Sequence, residues 1–184
     1  MKTKNSKPNI VSYTSDIFAN ANNRVLAKIN GATVFIPHVC NNINLFGVGF
    51  ANAIANQYPV AKENFHMLGS KAKLGYVQYV LAEQNKLTEH KLIVANMIAQ
   101  NKVIGEKNPR PLNYEFLVKC MIDVRSQIQN LSKTYDEKVE IHCPKFGSGL
   151  AGGNWDFINT LIEDIWSEIP VYVYSVAKKY HAKS

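Results

Sequence analysis

Two glycine-rich runs in this chain could hold an anion through main-chain groups. The first reads His38-Val39-Cys40-Asn41-Asn42-Ile43-Asn44-Leu45-Phe46-Gly47-Val48-Gly49-Phe50. The second reads Pro144-Lys145-Phe146-Gly147-Ser148-Gly149-Leu150-Ala151-Gly152-Gly153-Asn154-Trp155. Each follows a β-rich stretch, Thr33 to Pro37 or Val139 to Cys143, and each precedes a helical pattern. Glycine has no Cβ, so its backbone approaches a ligand closely, and the free N–H groups at a helix start suit a phosphate. Two such loops at the carboxyl edge of one sheet would grip a diphosphate from both sides. Taken singly, either glycine set also reads as ordinary turn residues.

Familiar nucleotide motifs do not account for these loops. Gly147-Ser148-Gly149-Leu150-Ala151-Gly152 matches G-x-G-x-x-G, but only 32 residues follow it. A dinucleotide fingerprint opens a long βαβ series, for which there is no room. Neither loop ends in Gly-Lys-Ser/Thr, which disfavours nucleotide triphosphate hydrolysis.

His38 is the candidate acid–base group, because it follows a strand and borders the first loop, where an imidazole can exchange a proton near neutral pH. A histidine that simply ends a strand is the structural alternative. His38, Cys40, His142 and Cys143 invite a zinc reading. Adjacent residues on a strand point to opposite faces, so the reading is no metal. Asn96 and Gln100 end a strand near the same edge and, with Pro109-Arg110-Pro111 and Tyr114, either frame a pocket or form a surface loop.

These residues need elements to position them. Asn30-Gly31, between Val25–Ile29 and Ala32–Ile36, predicts a hairpin from Arg24 to His38. Ile10–Tyr13, Leu74–Ala82, Lys91–Met97, Val139–Cys143 and Val171–Tyr174 read as strands. Leu112, Phe116, Leu117, Cys120, Met121, Val124, Ile128 and Leu131 paint one face of a long helix. Phe50 to Tyr58 reads as a helix stopped at Pro59, and Asn154 as the cap of a helix with Phe157, Leu161, Ile162 and Ile165 on its apolar side. Strands interleaved with helices predict an α/β sandwich with a parallel or mixed sheet.

Length and composition set the bounds. At 184 residues and 46% hydrophobic content, one domain can bury its own core. No apolar run approaches the ~20 residues that span a bilayer, and the start from Met1 to Ile10 is polar and basic, so neither membrane nor secretory signal is expected. Three separated cysteines fit a reducing, cytoplasmic setting. The net charge of +7 hints at nucleic acid, but Lys2, Lys4, Lys7, Lys178, Lys179 and Lys183 lie outside Asp16 and Glu168, the first and last acids. Without those six lysines the body is nearly neutral, so nucleic acid is not expected as a partner. A monomer is expected. The organisation read here is a basic tail at 1–8, one domain at 9–177 and a basic tail at 178–184.

The two loops together resemble those of the macro domain, the ADP-ribose-binding module, over roughly Ile10 to Val176. The resemblance is closest to the small branch containing yeast-type ADP-ribose 1''-phosphate phosphatase and terminal ADP-ribose protein glycohydrolase. It rests on His38, Gly47-Val48-Gly49-Phe50-Ala51 and Tyr58-Pro59, then Pro144-Lys145-Phe146-Gly147-Ser148-Gly149-Leu150 with Trp155. It implies a three-layer α/β/α fold with a central mixed sheet, and ADP-ribose or a derivative as ligand without a cofactor. By resemblance, Asp16 in Ser15-Asp16-Ile17 accepts from the adenine amino group, the Ile17 backbone faces the ring and Tyr174 packs beside it. Gly47, Val48, Gly49 and Phe50 clasp the diphosphate from one side, Gly147, Ser148, Gly149 and Leu150 from the other, and Asn41 meets the distal ribose.

The glycohydrolase subfamily's lysine is absent from Val94 to Gln100, and Ala151 stands where it has aspartate. That mechanism is not carried over. The expectation is hydrolysis of ADP-ribose 1''-phosphate with His38 as proton-transfer group. The alternatives are a non-catalytic ADP-ribose reader or sequestering protein, or removal of ADP-ribose from modified protein.

Overall fold

The computed structural model describes residues 10–175. The two tails, their six lysines and the outermost positions of the 9–177 domain lie outside the described residues. In chain order the elements are β1 (Ile10–Tyr13), α1 (Ile17–Leu26), β2 (Thr33–Asn41), α2 (Phe50–Gln57), α3 (Pro59–Leu68), β3 (Val77–Gln84), β4 (Lys91–Gln100), α4 (Tyr114–Tyr135), β5 (Val139–Pro144), α5 (Trp155–Ile165) and β6 (Val171–Tyr174). One six-stranded sheet runs β1-β6-β5-β2-β4-β3, parallel throughout except for the β3–β4 pair. The expected mixed sheet is therefore present.

Alternation along the strands builds two cores, one on each face. Val34, Ile36, Leu92, Val94 and Ile98 pack under Ile17, Ala21 and Val25 of α1, Ile54 of α2 and Ala61 and Phe65 of α3. Phe35, Ala95, Met97, Ile141 and Val173 pack under Leu117, Met121 and Val124 of α4 and Ile158 and Ile162 of α5. The result is three layers, α/β/α.

Several sequence expectations need correction. The hairpin from Arg24 to His38 does not form. Ile17, Ala21 and Val25, four residues apart, put one buried face on a helix, and the Asp16 carboxylate caps it by accepting from Phe18 N at 2.8 Å. Leu26 and Ile29, which the hairpin would have paired, are exposed. Asn30 has φ of 57° as a turn would require, but Gly31 serves close approach instead. A Cβ there would sit 2.6 Å from the Ala27 carbonyl oxygen.

α2 ends at Gln57 as expected, yet Pro59 does not only stop it. It opens α3, where its missing N–H costs nothing. The strand expected to end at Pro37 continues to Asn41, so His38 and Cys40 lie within β2. In α5 the buried side is Ile158, Ile162 and Ile165, while Phe157 turns outward against Tyr114.

Helix α1 is fixed to the sheet by charge as well as by packing. Arg24 Nε donates to Glu140 Oε2 at 2.9 Å and Nη2 to Oε1 at 2.6 Å, a two-point grip on a carboxylate that is 1% exposed. Burial pushes the Glu140 carboxyl up, but hydrogen bonds from His142 and Arg24 outweigh it and hold it at about 2. Arg24→Met is expected to cost about 2 kcal/mol at pH 7, because it leaves the buried carboxylate with only His142 and the Lys138 Nζ at 3.6 Å. Because the folded-state value is depressed, this contribution is complete above about pH 4.5 and fades as pH falls toward 2. Urea unfolding across that window tests this. A wild-type-to-variant difference that stays constant down to pH 2.5 would remove Glu140 as its source.

Candidate functional site

The sheet opens between its two central strands. β2 and β5 pair only over Thr33–Phe35 and Val139–Ile141. Beyond that, β2 continues along β4 to Asn41, with a register shift between Cys40 and Asn41, and β5 continues in register with β6 to Pro144. The connections also lead in opposite directions, β2 toward the β3–β4 side and β5 toward β6. This is a topological switch point, where an open α/β sheet leaves a crevice at its carboxyl edge. Both glycine loops begin there.

A cleft of about 170 Å³ lies between them. Its lining includes His38, Val48, Gly49 and Phe50 from the first side and Gly147, Gly149 and Leu150 from the second. Gly49 has φ of 61° and ψ of −136°, a conformation open to glycine, and immediately precedes α2. Gly147 has φ of 74°, and a Cβ there would press on Leu112 and Ile158 at 3.1 and 3.2 Å. Gly47 and Ser148 belong to the same loops but do not line the cleft, and the Ser148 hydroxyl donates to the Lys145 carbonyl at 2.8 Å. Asp16, Ile17 and Tyr174 stand apart from the cleft, at or just past the carboxyl ends of β1 and β6.

Asn41 is committed to its own loop. Its Oδ1 accepts from Ile43 N and Leu45 N, both at 3.1 Å, and its Nδ2 donates to the Leu45 carbonyl at 2.7 Å. Asn42 ties that loop to the next segment, since its Oδ1 accepts from Lys102 N at 2.8 Å. Gln100 does line the cleft. The 109–113 segment instead lies behind the second loop, where Leu112 N donates to the Ala151 carbonyl at 3.0 Å.

His38 is buried, its ring wedged edge-on between Phe46 and Phe50. Its protonation follows from a ladder of amides. Gln78 Nε2 donates to the Asn64 carbonyl at 2.9 Å, so Gln78 Oε1 accepts from Asn96 Nδ2 at 3.0 Å. Asn96 Oδ1 therefore accepts from His38 Nε2 at 2.6 Å, leaving the lone pair on Nδ1. Burial lowers the imidazole to about 4, against the opposing pull of the Asn96 hydrogen bond, so at neutral pH it is uncharged. Burial raises the Cys40 thiol well above its usual value, which disqualifies it as a nucleophile. Cys40 Sγ lies 3.8 Å from His38 Nδ1, the ring nitrogen with the lone pair, and 3.7 Å from Nε2. Among the described residues no group of three or more His, Cys, Asp or Glu could hold a metal ion. No helix among them is long and apolar enough to cross a membrane.

No family model matches the chain. It is 27% identical over 142 residues to an uncharacterised 17.5 kDa protein of Enterobacteria phage T4, covering 75% of this chain and 83% of that one. Among solved structures, a Bacteroides thetaiotaomicron protein of unknown function is 29% identical with a TM-score of 0.71, over 91% of this chain and 98% of that one. A macrodomain protein from Streptomyces coelicolor is 26% identical with a TM-score of 0.67, over 91% and 99%. Thermosipho africanus DarTG in complex with ADP-ribose matches with a TM-score of 0.68 at 16% identity, over 94% of this chain and 43% of that one. The chain has the macro domain fold.

The second loop's shape depends on Gly153, where a Cβ would sit 2.6 Å from the Gly147 carbonyl oxygen and 2.4 Å from Leu112. Gly149 faces open space. Gly153→Ala is expected to cost about 1–3 kcal/mol, and Gly149→Ala less than about 0.5 kcal/mol, by urea unfolding. Equal losses at the two positions would show that the loop tolerates a backbone shift.

Proposed function

From the macro domain fold, we propose that this chain binds ADP-ribose or a derivative of it, with the diphosphate between the two glycine loops. The observation that carries this reading is the pair of loops facing each other across the gap between β2 and β5. Main-chain N–H groups there, at the start of α2 on one side, suit an anion without a cluster of basic side chains. The Thermosipho protein of the same fold, bound to ADP-ribose, supports the ligand class.

The finer reading is hydrolysis of ADP-ribose 1''-phosphate to ADP-ribose and phosphate. The oxygen of water forms the new bond to phosphorus, the bond from phosphorus to the 1''-oxygen breaks, and the leaving oxygen takes up the proton that water has given to His38. The loops stabilise the charge gathered on the phosphoryl oxygens. His38 Nδ1, bearing a lone pair in a neutral ring, accepts the proton from water. A non-catalytic ADP-ribose binder is the second reading, favoured because His38 is 2% exposed and one of its nitrogens is committed to Asn96.

Isothermal titration with ADP-ribose tests the binding, with one site per chain expected and none overturning it. Phosphate release from the 1''-phosphate substrate tests turnover, with a loss of at least about 100-fold in His38→Ala. No release by either protein assigns the binder. Since the His38 value is lowered to about 4, its base form persists at all higher pH. The enzyme should therefore add no inflection of its own to the kcat/KM profile between pH 5 and 8 beyond that of the substrate phosphate, which titrates at about 6. A second inflection in that range, lost in His38→Ala, would exclude the buried, neutral imidazole as the base.

A further inference from the structure

The β2–β5 ladder ends at Phe35 and Ile141, so the sheet itself does not fix the spacing of the two glycine loops beyond it. A third segment reaches both of them. Residues 101–111, between β4 and α4, form a loop whose two ends are joined. Asn101 N donates to the Pro111 carbonyl and Asn113 N to the Ala99 carbonyl, both at 2.9 Å, and Gln100 and Leu112 form an antiparallel bridge. Asn108 folds the loop onto this base, its Nδ2 donating to the Asn101 and Val103 carbonyls at 2.9 and 3.0 Å. Gln100, which lines the cleft, donates through Nε2 to the Lys102 carbonyl at 2.9 Å. Lys102 itself has φ of 58°, a left-handed conformation that strains a residue other than glycine.

Each side of this base holds one glycine loop. On the first side Asn42 makes three bonds to it. Its N donates to the Gln100 carbonyl at 3.1 Å, its Oδ1 accepts from Lys102 N at 2.8 Å, and its Nδ2 donates to Asn101 Oδ1 at 3.2 Å. On the second side Leu112 N donates to the Ala151 carbonyl at 3.0 Å. Gly152 passes so near the segment that a Cβ there would lie 2.9 Å from the Pro109 carbonyl oxygen and 3.1 Å from Arg110 Cα. Tyr114, at the start of α4, accepts from Asn154 N at 2.7 Å, at the far end of the same loop. Asn42, Asn101 and Asn108 are all reached by water, which satisfies such groups equally well, so their bonds to one another add order and not hydration.

We propose that the 101–111 segment is a strut that sets the width of the cleft, and that Asn42 and Asn108 are positioning residues acting through it on both glycine loops. The proposal rests on the reading of the cleft as a diphosphate site and adds what holds its two sides apart before the ligand arrives. Main-chain donors on opposite sides act together on one diphosphate only while their separation is right. A cleft free to widen is competent for a fraction of the time, and its apparent affinity falls by that fraction. The strut replaces, from outside the sheet, the spacing that the interrupted β2–β5 ladder does not supply.

Hydrogen exchange of the free protein, with titration calorimetry of inorganic pyrophosphate and ADP-ribose, tests this. Within the second loop Gly152 N donates to the Gly149 carbonyl and Gly153 N to the Gly147 carbonyl, so these two amides report on its opening. Asn42→Ala removes contacts of the first loop only, yet should speed exchange at Gly152 and Gly153 about fivefold, the scale of one lost hydrogen bond. It should also weaken both ligands about fivefold, as the competent fraction falls. Asn108→Ala, which removes no hydrogen bond to either loop, should do the same. Lys102→Asn keeps the N–H that Asn42 accepts and suits the left-handed φ, so it should bind both ligands within about twofold of the native protein. Faster exchange confined to residues 41–45 and 101–108 in both alanine variants overturns the proposal, and so does unchanged affinity in both. A loss in Lys102→Asn equal to that in Asn42→Ala overturns it too, by assigning the effect to the lysine charge. If the native protein binds neither ligand, the diphosphate reading has failed instead, while exchange at Gly152 and Gly153 still decides whether the segment couples the two loops.

Discussion

The site depends on a gap in a hydrogen-bonded ladder. Parallel strands β2 and β5 share three register pairs and then part, each keeping only its outer neighbour. A continuous ladder would have closed that edge and left the loops after the two strands side by side. Because the chain leaves β2 and β5 in opposite directions, the loops begin at the gap and face one another across it. Their glycines matter in this setting. Gly147 and Gly153 let the second loop fold back over Leu112 and Ile158, and Gly49 turns the chain into α2.

Two buried polar ladders flank the gap on the α1–α3 side, and they are terminated differently. The His38–Asn96–Gln78 ladder ends on a backbone carbonyl of α3 and carries no formal charge, while burial keeps His38 neutral. The Tyr174–His142–Glu140 ladder ends on a carboxylate held by Arg24. Each replaces hydration lost on burial with directed partners, as a buried polar group requires. Among the described residues, the Thr88 hydroxyl is the one buried side-chain polar atom without a partner. Both ladders lie across neighbouring strands, where register sets which side chains meet. His38 stands opposite Asn96, and Asn96 opposite Gln78.

That register explains what was legible in the sequence. Strands β1, β5 and β6, the long α4 and the cap at Asn154 announce themselves through local composition and spacing. So do the two glycine loops, because a strand–glycine–helix sequence is contiguous. The hairpin reading failed on a competition the local sequence cannot decide. Asn30-Gly31 is a strong turn signal, but the Asp16 cap and the pairing of Arg24 with Glu140, 116 residues away, favour α1. The partners of His38 were invisible for the same reason. Asn96 and Gln78 come from separate strands, and only the sheet order brings all three onto one face.

The charge of the cleft bears on the chemistry proposed for it. Ala151 lines the cleft at 7% exposed, brings no charge to it, and its carbonyl accepts from Leu112 N. Asn96 is fully buried and spent on His38 and Gln78, so this part of β4 presents no cation. His38 is uncharged. Lys145 is the one formally charged side chain among the residues lining the cleft, and its Nζ lies 5.7 Å over the Trp155 ring. In the proposed complex, stabilisation of a phosphate would fall to Lys145 and to main-chain dipoles that are fixed before the ligand arrives and need no reorganisation. Such dipoles bind ground state and transition state alike unless charge moves toward them. Under the proposed reading, discrimination between a binder and a hydrolase comes down to whether His38 Nδ1 reaches the attacking water, and not to the strength of the grip on the diphosphate.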